Sequence, residues 1–179
     1  DLVIAVDDEL PIRMLRLFNE PEGRKSLRHL GVQEPVINRL DLLGISSLGN
    51  LVAAIKFAKY YELGENDTVA TVFTDSTELY RSRISELTKQ RGPYSVINAQ
   101  RDLEMLENIG VDNMEELSYY GKKRIHNLKY FTWIEQQKKD LNELNAQWQE
   151  HDSYWTSIWD STPQIDRLIC EFNEMAGLG

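Results

Sequence analysis

Cysteine is almost missing from this chain. Cys170 stands alone, so no internal disulfide framework can form, and a reducing, cytoplasmic setting is expected. Histidine is scarce too. His29, His126 and His151 show no metal-ligand spacing and are read as surface or capping residues. No apolar run is long enough to cross a bilayer, and the start lacks the pattern of a signal peptide, so no membrane partner is expected. Basic residues are outnumbered, with 20 Lys and Arg against 29 Asp and Glu. The resulting net charge of -9 would repel phosphates, so no nucleic-acid partner is expected either. One short basic cluster, Lys122-Lys123-Arg124, is read as the solvated face of a helix.

What remains is ordinary for a folded protein: 41% hydrophobic and 27% charged residues over 179 positions, enough for one domain or for part of one with an appendage. The chain opens at Asp1 and enters an apolar run at once. Leu2 to Val6 (LVIAV) reads as a buried parallel strand ending at Asp7 and Asp8, a pair that could be acid/base groups but more commonly takes a turn and helix-cap role. ELPIRMLRLFNE follows as a helix, with Ile12, Leu15, Leu17 and Phe18 as its apolar stripe and Pro11 in its first turn. EPEG (20–23) breaks that helix, and a second one spans about Arg24 to Leu30. The small-residue turn Gly44-Ile45-Ser46-Ser47-Leu48-Gly49-Asn50 then runs into the helical LVAAIKFAKYYEL, where serines can cap free N–H groups. Val69 to Phe73 (VATVF) reads as a second buried strand, ending at Thr74-Asp75-Ser76-Thr77 and followed by a helix from Glu78 to about Lys89.

From Tyr94 onward no strand is expected. Residues 98–110, 113–137, 141–150 and 163–179 read as helices, and all four tryptophans lie in this half, as expected of helices that pack on another surface. Cys170, on the stripe of Leu168, Ile169 and Phe172, reads as a buried, inert thiol. The expected organisation is therefore an α/β segment over residues 1–92, a partial parallel sheet with flanking helices, followed by an all-helical extension over 93–179. Two parallel strands do not make a stable sheet, so other residues are expected to begin the sheet that these complete.

Two junctions carry what chemistry there is. The Gly44–Asn50 turn opens a helix and could present N–H groups to an anion, or could be a tight junction only. It matches neither a Walker loop nor G-x-G-x-x-G. Ser76, at the end of an expected strand, could cap the next helix or touch a ligand, where open α/β sheets place one.

Together, GISSLGNLVAAIKFAK and TVATVFTDSTELYRSR resemble the C-terminal signature of the cysteine synthase and cystathionine β-synthase family, and DLVIAVDDELPIRMLRLF matches the strand and helix before it. The resemblance covers about residues 1 to 88. Leu48 and Thr77 stand where that family has glycine. What it implies is a fold-type II pyridoxal phosphate (PLP) enzyme that catalyses β-elimination or β-replacement on an amino acid. Ser76 would meet the pyridine nitrogen, and Gly44, Ser46 and Ser47 would form the wall beside the cofactor. The family's Schiff-base lysine and phosphate cup have no counterpart here. The resemblance therefore implies a missing N-terminal half or a companion chain, a homo-oligomer, and no activity for this chain alone. The alternative is a non-catalytic subunit or interaction module that keeps the scaffold.

Overall fold

The computed structural model describes residues 1–178. By contact the chain divides into two compact units, Leu2–Glu116 and a second made of Asp1 with the residues from Leu117 onward.

The first unit is built around α1 (Glu9–Asn19), which buries Met14, Leu15, Leu17 and Phe18. Asp7, rather than the adjacent Asp8, accepts the free Glu9 N–H at 2.9 Å at its start. The expected break at EPEG is only a corner, because Pro21 sits in the first turn of α2 (Pro21–His29), where its missing N–H costs nothing. Gly23 lets α2 approach α1 closely; a Cβ there would lie 2.0 Å from the Leu17 carbonyl oxygen. After the short α3 (Glu34–Ile37) comes α4 (Ile45–Tyr60), which contributes Leu48 and Val52, one turn apart, to the same core. The next helix is α5 (Arg81–Arg91). A further helix, α6 (Val96–Glu107), starts on a reciprocal cap between Ser95 and Asn98 and buries Ala99 and Asp102.

Polar ties hold these helices in register. Asp102 accepts from Arg13 Nε at 2.6 Å and from the Tyr94 hydroxyl at 2.7 Å, while the Arg16 guanidinium lies 5.0 Å from the Tyr94 ring centre. Burial, then the Asp102 carboxylate, raise the Tyr94 pKa. A phenol whose pKa is raised on folding contributes fully below its unfolded value near 10 and loses that contribution as the pH rises beyond it. Tyr94→Phe is expected to cost about 1–2 kcal/mol at neutral pH and to flatten the fall in melting temperature above pH ~10. Thermal melts of both proteins from neutral to alkaline pH check this.

The expected parallel sheet does not form, and the α/β expectation is corrected to a mainly helical fold with one small antiparallel ribbon. In that ribbon β1 (Leu2–Ile4) pairs with β2 (Met114–Glu116), Leu2 opposite Glu116 and Ile4 opposite Met114. β2 falls where only helix was expected. Val69 to Phe73 forms no strand and pairs with none, with Val72 71% and Phe73 51% exposed. The reason is the number of partners. A strand's propensity is realised only against a neighbour, and the single edge that β1 uses here is taken by β2.

The second unit holds α7 (Tyr119–Lys129), a π-helical continuation through Gln136, α8 (Leu141–Gln149), α9 (His151–Asp160) and α10 (Thr162–Ala176). Ser118 and Asp140 cap α7 and α8 through their side chains. Among the described residues of this unit only Leu144 and Gln147 are buried. The stripe of α10 is exposed, and so is Cys170, which corrects the expectation of a buried thiol. No single helix among the described residues is long and apolar enough to cross a membrane.

Candidate functional site

Gly44, Ser46 and Ser47 from one turn and the distant Ser76 belong to one bracket in the first unit. Helix α4 begins at Ile45, so Ser46 and Ser47 lie inside its first turn rather than ahead of it, and Gly44 is the N-cap. The free N–H groups of that turn point at Asp75. Its carboxylate accepts from the Ser47 amide at 3.0 Å and the Ser46 amide at 3.3 Å. The Ser47 hydroxyl stands 2.7 Å from the same carboxylate and 2.8 Å from the Asp75 carbonyl, and its one proton serves either. Gly44 N–H donates to the Asp75 carbonyl at 3.0 Å, and the Tyr80 hydroxyl donates to the other carboxylate oxygen. Asp75 therefore does for α4 what a bound anion could do, from 28 residues further along the chain.

Burial alone would raise the Asp75 pKa. The hydrogen bonds from Tyr80, the Ser47 hydroxyl and the two amides outweigh it and pull the value down to about 2. The same carboxylate, with burial, raises the pKa of the Tyr80 phenol.

The glycine at position 44 is required by this close approach. A Cβ there would sit 2.6 Å from the Asp75 carboxyl carbon and 2.8 Å from the Tyr80 ring. Gly44→Ala is expected to cost about 1–3 kcal/mol through this overpacking. A chemical denaturation midpoint unchanged from the parent would contradict the described packing.

The two positions that depart from the family's glycines have structural work. Leu48 is fully buried in the core. Thr77, also buried, donates through its hydroxyl to the Leu43 carbonyl at 2.9 Å and accepts from Asn19 at 3.1 Å, a second staple between the turns.

Ser76 differs from its neighbours. It caps the short 3-10 turn Thr77–Tyr80 with its backbone only, and its hydroxyl makes no hydrogen bond within the described residues. It is half-buried on the wall of a depression of about 290 Å³ shared with Asn19, Leu42, Thr77, Arg81 and Ile84. Among the described residues no lysine lines that depression. The buried Lys56 lies elsewhere, with its ammonium 3.4 Å from the Ala5 carbonyl and 3.3 Å from Asp112.

Sequence reasoning singled out the serines but missed Asp75 and Tyr80 as the groups that join them. The signal was an acidic residue within five positions of a tyrosine, downstream of a helix start with no acidic cap of its own. Among the described residues no group of three or more His, Cys, Asp or Glu could hold a metal ion. Comparison of the chain with models of known families, with curated proteins and with solved structures found no match.

Proposed function

We propose that this chain contributes the pyridine-end contact of a PLP site, within a cytoplasmic enzyme acting on an amino acid by β-elimination or β-replacement. One observation carries the reading: in the TDST turn Asp75 is fully engaged and Ser76 is not. The Asp75 carboxylate accepts from the Ser46 and Ser47 amides and the Tyr80 hydroxyl, shares the Ser47 hydroxyl proton with its own carbonyl, and stays ionised, so it has no proton to give to a ring nitrogen. The adjacent Ser76 hydroxyl remains available, and a serine holds its proton while donating a hydrogen bond. Such a contact leaves the pyridine nitrogen unprotonated. That limits delocalisation of a carbanion and favours loss of a β-substituent over transamination.

The fit is to one end of the cofactor. The N–H groups of α4 that could cradle a phosphate are filled by Asp75, and no lysine stands at the Ser76 depression. The lysine and the phosphate cup must come from a companion segment or chain, and by this reading the 179 residues alone are inactive. When bound, PLP supplies the electron sink for breaking bonds at the amino acid's α-carbon.

In the protein completed by those residues, Ser76→Ala is expected to weaken PLP binding about three- to tenfold, the worth of one hydrogen bond, without changing the melting temperature of the cofactor-free form. Equal affinity in the two proteins counts against the assignment of Ser76. A second reading, a non-catalytic interaction module, is favoured by the exposed stripe of Ile165, Leu168, Ile169 and Phe172 on α10. It predicts no PLP binding in any combination.

A further inference from the structure

Among the described residues, a cavity of about 1240 Å³ lies in the second unit and takes its walls from α7, α8 and α9. Three lysines on α7, Lys122, Lys123 and Lys129, line it. The only carboxylate on its lining is Asp1, which is already paired with Lys122 at 3.0 Å. Lys123 has no partner within the described residues. Lys129 has no carboxylate partner; it donates to the buried Gln147 at 3.0 Å and lies 5.9 Å from the Trp155 ring centre. In a chain of net charge -9, a cavity lined by two uncompensated ammonium groups is a local reversal of sign.

The remaining wall is aromatic. Trp148 packs edge-on against Tyr119 at 5.5 Å and tilted against the His126 ring at 5.3 Å, and Trp155 lines the same space. Burial lowers the pKa of His126, so the positive charge of the wall comes from the lysines. Flat rings offer a stacking face and ammonium groups offer point charges for a phosphate. The volume exceeds that of an ordinary drug-sized pocket, which is room enough for a mononucleotide-sized ligand.

We propose that this cavity binds a planar heteroaromatic ring bearing a phosphate group, with the ring against Trp148 and the phosphate at Lys123 and Lys129. Two ring sources share this chemistry, purine nucleotides and phosphorylated pyridines. The inference goes beyond the PLP reading, which concerns the first unit, and does not depend on it.

The test is a tryptophan-fluorescence titration of the full chain with adenosine 5′-monophosphate, pyridoxine 5′-phosphate and their dephosphorylated parents. Saturable quenching is expected for at least one phosphate ester, about tenfold tighter than for its parent, and the better ester identifies the ring class. Lys123→Gln, at an exposed position, should weaken that ester about tenfold and leave its parent unchanged. Trp148→Phe should weaken ester and parent alike, with circular dichroism confirming its fold; if that variant does not fold, Lys123→Gln decides alone. No saturation with either ester, equal affinity for ester and parent, or indifference to Lys123→Gln overturns the proposal. Ser76→Ala leaves this titration unchanged, so its outcome is separate from that of the PLP reading.

Discussion

Asp75→Ala is expected to destabilise the first unit by about 2–4 kcal/mol, more than any other single change in the bracket. The carboxylate satisfies two amides at the start of α4 and the hydroxyls of Ser47 and Tyr80, and all four donors lose it together. Loss of a helix cap alone costs about 1 kcal/mol, and each buried donor left unpaired adds to that. Water reaches this half-buried group, which holds the total below the sum of the parts. The pH dependence has a definite sign. A carboxyl whose pKa falls from 3.8 to about 2 on folding stabilises the native state above the higher value, and that contribution fades as the pH drops toward the lower one. Between about pH 4 and 2 the wild-type melting temperature should therefore fall more steeply than that of Asp75→Ala. Parallel curves would mean that Asp75 is not held as described.

On the proposed PLP reading, Ser76→Asp is expected to have the largest effect on activity. An aspartate at this position would then hold a proton on the pyridine nitrogen, reversing the electronic bias proposed for the hydroxyl. It would also place a second carboxylate beside Asp75, whose four donors are already committed. Turnover in β-elimination should drop at least about a hundredfold, near 2.7 kcal/mol in the barrier, with transamination of the same amino acid gaining relative to it. Measuring both products from one substrate separates an electronic effect from a collapsed site, in which the two reactions would fall together.

The helices were legible where an apolar stripe and a start signal coincide. Leu15, Leu17 and Phe18 on α1 belong to such a stripe, and α10 carries Pro163 in its first turn. Of the strands, β1 was legible in LVIAV, but its antiparallel pairing was not. β2 (MEE) has no strand-forming composition and exists because β1 needs a partner, whereas VATVF has that composition and finds none. Propensity describes one segment, and a sheet is a property of pairs. The same holds for the bracket. Gly44, Ser46, Ser47 and Ser76 could be named from local pattern, but the ionised Asp75 that joins the two turns is a long-range contact with no periodic signature. Likewise Lys122 and Lys123 read as a solvated helix face, and only the packing of α8 and α9 makes them part of a cavity wall.

The most direct measurement is a visible absorbance scan after PLP is added to the chain alone and to the chain joined with a segment that carries the lysine and phosphate cup. A protein-bound cofactor band is expected only for the joined form, and Ser76→Ala should shift its titration to higher PLP concentration. A joined form that gives no band, or one whose titration is indifferent to Ser76, would contradict the assignment of this bracket to a PLP site.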